Sequence, residues 1–95
     1  MKLTFSAKVF EWRGPAPFYF VRVPDKQALE IKEISKELSY GWGVVPCHVT
    51  IGKTREYTSL FPKDGGYLVP LKQNLRKPNG IEVGQVVKLE LEFAL

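Results

Sequence analysis

Ninety-five residues, 44% of them hydrophobic and 13% aromatic, suffice for one core and not for two, so the sequence is read as a single domain over residues 1–95. Fourteen Lys and Arg against ten Asp and Glu leave a net charge of +4, compatible with a polyanionic partner but well short of a dedicated nucleic-acid arm. No run approaches the roughly 20 apolar residues of a membrane-spanning helix. Met1–Val9 has no signal-like apolar stretch, and the single Cys47 excludes an internal disulfide. A cytoplasmic protein with no membrane partner is therefore expected.

Leu3, Phe5, Ala7 and Val9 alternate with Thr4, Ser6 and Lys8, the period of a strand with one buried face, and this strand is expected to run to about Trp12. Gly14-Pro-Ala-Pro17 breaks it. Phe18-Tyr-Phe-Val-Arg-Val23 then supplies a second strand, apolar on nearly both faces, that forms a hairpin with the first. Asp25 is an N-cap candidate for a helix over about Lys26–Leu38, with Ile31, Ile34 and Leu38 on its buried side. Its other side pairs Lys26 with Glu30 and Glu33 with Lys36 as a solvated face.

Tyr40-Gly-Trp-Gly43 ends the helix. Val45, Cys47, Val49 and Ile51 mark a third strand with Cys47 pointing inward, and a fourth is expected over about Glu56–Phe61. Pro62-Lys-Asp-Gly-Gly66 is hairpin-turn chemistry leading to Tyr67, Val69 and Leu71. A short basic turn or helix follows, then a tight turn over Gly80–Gly84 and a last strand carrying Val87, Leu89, Leu91 and Phe93. Strand, helix and strand from Tyr19 to Ile51 resemble in order strand, basic turn and strand from Tyr67 to Phe93, an internal repeat that would make the fold pseudo-twofold.

No constellation of catalytic, metal or phosphate-binding residues stands out. His48 is the single histidine, and Cys47 beside it in a strand projects to the opposite face, so the two cannot converge on one metal ion. Ser6, Ser35, Ser39 and Ser59 sit in no nucleophile elbow. Glu90 and Glu92 share a face but sit near a chain end, where solubilising charge is the simpler reading. Gly41-Trp-Gly43 lacks a third glycine and the strand-to-helix setting of a phosphate loop. The best binding candidate is the basic group Lys72, Arg76 and Lys77, with Lys53 and Arg55 as outliers. Lys72 and Arg76 are four apart, so a helical turn would align them as an anion-binding edge, with Trp12, Tyr40 and Trp42 as stacking surfaces.

Tyr57-Thr-Ser-Leu-Phe-Pro62, Asp64-Gly-Gly-Tyr-Leu-Val-Pro-Leu-Lys72, Leu75-Arg-Lys77 and Gly80-Ile-Glu-Val-Gly84 resemble a bacterial domain-of-unknown-function family, number nineteen-oh-five. Phe5-Ser-Ala-Lys-Val-Phe10 and Phe18-Tyr-Phe-Val-Arg-Val-Pro24 extend the resemblance over nearly the whole chain. It implies a small closed β-barrel and no established activity. The stretch from Val69 to Leu89 is also similar to the swapped-hairpin DNA-binding domains of AbrB and MazE, with Lys72 and Arg76 at basic positions and Gln85 where that pattern prefers aspartate.

These patterns predict a mostly β protein, a closed β-barrel of about six strands with one amphipathic helix. The expected function is a small bacterial binding or interaction module of unknown ligand, with Lys72, Arg76 and Lys77 as the candidate surface for an anionic ligand or nucleic acid. No cofactor, no metal and no catalysis are expected, and a monomer or weak homo-oligomer is. The alternatives are AbrB-like DNA binding and a small-ligand enzyme whose site, at the barrel mouth, is lined by Tyr40, Trp42, Ser59 or His48.

Overall fold

A computed structural model describes residues 1–13, 18–39 and 43–95. The Gly14–Pro17 break and the expected stacking residues Tyr40 and Trp42 lie outside the described residues. The elements are β1 (Lys2–Lys8), β2 (Phe10–Trp12), β3 (Phe18–Arg22), α1 (Asp25–Leu38), β4 (Val45–Ile51), β5 (Thr54–Lys63), β6 (Gly66–Pro70), α2 (Gln73–Asn79) and β7 (Val86–Glu92). The strands form one antiparallel seven-stranded sheet in the order β1-β7-β4-β5-β6-β3-β2.

Alternation in the sequence predicts a closed barrel of about six strands with one helix; among the described residues there are instead seven strands in one curled, unclosed sheet and two helices. The strand expected to run unbroken to Trp12 is split at Val9. There the backbone N–H donates to Gln85 O at 2.9 Å and the carbonyl accepts from Gly84 N at 2.8 Å, so Val9 belongs to the turn before β7 rather than to a ladder. β1 pairs with β7 and β2 with β3, which leaves β1 and β2 at opposite ends of the strand order. Leu3 and Phe5 from β1 nevertheless share one core with Val21 and Val23, from β3 and the residue just beyond it. A flat sheet with strands about 4.8 Å apart would hold β1 and β3 about 24 Å from each other, so the sheet must curl to bury them together.

β5 is the strand that turns the corner. Its stretch from Thr54 to Leu60 pairs with β4 and its last three residues, Phe61 to Lys63, pair with β6. The hairpin that follows turns through Asp64 (φ 50°) and Gly65 (φ 76°), two successive positive φ values that match the right-handed twist of the flanking strands.

The expected repeat has a counterpart in the connectivity: β3-α1-β4 and β6-α2-β7 follow the same course. β3 and β6 pair about the Val21–Val69 couple, and the bonds flanking it are reciprocal, Val23 N to Tyr67 O at 3.0 Å and Leu71 N to Tyr19 O at 2.8 Å.

α1 buries Ala28 and Ile31, with Ile34 and Leu38 packed against the same core, while Lys26, Glu30, Glu33, Lys36 and Glu37 face solvent. Asp25 is not the cap. The extended Pro24 (ψ 151°) takes that place without a side-chain bond, and Asp25 is the first helical residue, where the helix dipole favours a carboxylate. α2 buries Leu75 and is stopped by Gly80 in the left-handed conformation (φ 58°), with Ile81 N bonded back to Arg76 O at 3.1 Å. Among the described residues no helix is long and apolar enough to cross a membrane.

Candidate anion-binding site on the second helix

The sequence places Lys72 and Arg76 on one side of a helical turn; in the structure Lys72 is the N-cap of α2, its carbonyl accepting from Arg76 N at 3.0 Å, and the two residues line different hollows. Lys72 precedes α2 in extended conformation (ψ 162°), so helical spacing does not govern where it points relative to Arg76. Arg76 turns toward the sheet. Its Nε donates to Leu71 O at 2.9 Å, and its guanidinium lies 4.0 Å over the ring of Tyr19. A guanidinium held on an aromatic face and a backbone carbonyl braces α2 against β3, with Nε–H committed and the two terminal nitrogens left as donors.

Lys72 and Lys77 come together instead. With Gln73, Asn74 and Pro78 they line a surface hollow of about 590 Å³. Both ammonium groups are exposed, and among the described residues neither is ion-paired. Two free cations beside two amides, which can each donate, make an edge suited to phosphate or carboxylate. Charge does not single out Gln73 and Asn74, because amides carry none; their position inside the basic segment is the sign the sequence offers. A second hollow of about 250 Å³, lined by Arg76, Lys77, Gly80, Ile81 and Glu82, is less suited to an anion because Glu82 contributes a carboxylate.

The two outlying cations do not join this group as partners. Arg55 reaches across the sheet to Glu92, Nη2 to Oε1 at 2.8 Å. That bond, with help from the charges of Lys2, Arg55 and His48, holds the Glu92 carboxyl below its ordinary range against the opposing effect of desolvation. Lys53 is exposed in the turn after Gly52, where Asn79 packs and donates to Thr54 Oγ1 at 3.3 Å.

A family model for a domain of unknown function, DUF1905, matches residues 5–91. The chain belongs to the DUF1905 family. None of the curated proteins matches it. The DUF1905 match spans both β-α-β halves, whereas the similarity to AbrB and MazE rests on Val69–Leu89 alone.

The remaining side chains proposed for chemistry in this DUF1905 chain are dispersed. His48 stands edge-on to Tyr57, ring centroids 5.2 Å apart, and lines a hollow of about 240 Å³ with Arg55, Glu92, Phe93 and Ala94. Ser59 is not among those walls; it pairs with Pro46 further along the strands. Cys47 is buried on the opposite side of β4 from His48, and desolvation pushes its thiol up to about 12, so it is no nucleophile at neutral pH. Among the described residues no three His, Cys, Asp or Glu side chains group as metal ligands.

Proposed function

We propose that this DUF1905 domain is a non-catalytic binding module that takes an anionic small ligand on α2, with Lys72 and Lys77 as the charged contacts and Gln73 and Asn74 as donors. The observation that carries it is the pair of unpaired lysines bracketing one hollow. Two exposed ammonium contacts supply about 1 kcal/mol each at most, less than the cost of association, so a bare anion binds weakly. Useful affinity then comes from a ligand body lying on Pro78 and the lysine methylenes, a phosphorylated or carboxylated organic molecule rather than a free ion.

Duplex DNA binding in the AbrB manner would use Lys72 and Arg76 together, and Arg76 is instead held against Tyr19 and Leu71 O. Calorimetry with pyrophosphate at low ionic strength tests the proposal. Weak binding that falls at least tenfold in a Lys72→Glu, Lys77→Glu double variant supports it. Binding that the double variant leaves unchanged, or its absence in the native protein, overturns it.

A further inference from the structure

The outer surface of β2, β3, β6 and β5 carries a second hydrophobic layer that the core does not use. Phe20 is only 7% exposed, yet it projects away from the core, as strand alternation beside the core residue Val21 requires. Other rings cover it: Phe10 at 6.0 Å, Trp12 and Phe18 at 6.4 Å each, and Phe61 edge-on at 5.2 Å. Among the described residues nothing covers this layer in turn. Trp12 is 42% and Phe18 60% exposed, and the two sit directly opposite each other across the β2–β3 ladder. A lone exposed ring needs no explanation, but a cluster of them on one sheet face marks a contact surface.

The charge on this face is positive. Lys63 Nζ lies 4.2 Å over the Trp12 ring, and Arg22 is on the same side of β3 as Phe18 and Phe20. The neighbouring carboxylate, Glu11, alternates to the other side with Tyr19, its cross-strand partner. We infer that this face binds single-stranded nucleic acid: bases stack on Trp12 and Phe18, Lys63 meets the phosphates, and Arg22, whose terminal nitrogens hold Lys63 O and Asp64 O, adds positive charge to the rim. Stacking on exposed sheet aromatics beside a basic rim serves any base, so little sequence preference is expected. A second copy of the chain is a poorer occupant, since a twofold contact through this patch would bring Lys63 and Arg22 of both copies together. The α2 hollow is a separate surface, because Tyr19, which carries Arg76, faces the other way from Phe18 and Phe20.

The test is fluorescence anisotropy of labelled oligo(dT) and oligo(U) with the full chain at low ionic strength, with a duplex of equal length as control. Single strands are expected to bind more tightly than the duplex. Trp12→Ala and Phe18→Ala should each weaken binding roughly tenfold, the worth of one stacked base. Phe18→Tyr should retain it, and Phe18→Leu, which keeps an apolar side chain but no ring, should not. Lys63→Ala should lower the slope of affinity on salt by about one. Unchanged thermal unfolding of the variants separates lost contact from lost fold. The inference is overturned by no binding to single strands, by equal affinity for the duplex, or by losses in Lys72→Ala and Lys77→Ala rather than in Trp12→Ala and Phe18→Ala. It is equally overturned by self-association that Phe18→Ala abolishes.

Discussion

Arg76 of α2 lies over Tyr19 of β3, the guanidinium carbon 4.0 Å from the ring centroid, while its Nε holds the carbonyl of Leu71 at 2.9 Å. One side chain thus ties the second helix to β3 and to the residue just beyond β6. Under the proposed function Arg76 braces the helix, and Lys72 and Lys77 are the ligand contacts.

Arg76→Ala should therefore cost stability, about 1–2 kcal/mol from the lost cation–π contact and hydrogen bond, with little change in pyrophosphate affinity. Arg76→Lys should recover less than half, because an ammonium cannot stack flat and donate sideways at once. Urea unfolding together with calorimetry reads both effects.

Thr58 is 3% exposed, faces Cys47 across the β4–β5 ladder, and its hydroxyl has no hydrogen-bond partner among the described residues. An unsatisfied buried hydroxyl opposes folding. Thr58→Val keeps the shape, removes that penalty, and should stabilise the domain by about 1 kcal/mol in chemical denaturation.

Gly66 is needed for what lies above it. A Cβ there would stand 2.6 Å from Arg22 Nη2, the group that donates to Asp64 O at 3.0 Å while Nη1 donates to Lys63 O at 3.0 Å. Gly66→Ala should displace the guanidinium and loosen the β5–β6 hairpin by about 1–2 kcal/mol. In an Arg22→Ala background the same change should cost less, and a double-mutant cycle measures the difference.

Burial raises the Cys47 thiol from its ordinary 9.0 to about 12. The folded state thus favours the protonated form, and the sign follows: this contribution to stability is complete below pH 9 and is lost as pH rises toward 12. Denaturation midpoints should fall over that window and fall less in Cys47→Ala, while thiol reagents label Cys47 only on unfolding.

Most of the sheet is legible in the sequence because its strands bury one face. Leu3 and Phe5, Val45 to Ile51, and Val87 to Phe93 alternate cleanly, and the Asp64-Gly65 turn dictates its hairpin. Closure is not legible, since the split at Val9 depends on where the Gly84-Gln85 backbone lies. α2 is too short for periodicity to distinguish it from a turn. Asp25 carries good cap chemistry, but Pro24 is already extended and takes the position. The aromatic outer layer did leave a sign, because Phe18 to Val23 is apolar on nearly both faces; alternation alone cannot say that both faces are packed. Charge picks out the segment of the candidate site, but that Arg76 lies over Tyr19 is a contact between residues far apart in the chain, which no local pattern shows.

Amide-resolved NMR during titration with inorganic phosphate would locate an anion on α2. Saturable shifts are expected to centre on Gln73, Asn74 and Lys77, with Arg76 and Tyr19 held as in the free protein. Shifts centred on His48, Arg55 and Phe93, or none on α2 up to high phosphate, would contradict the proposed function.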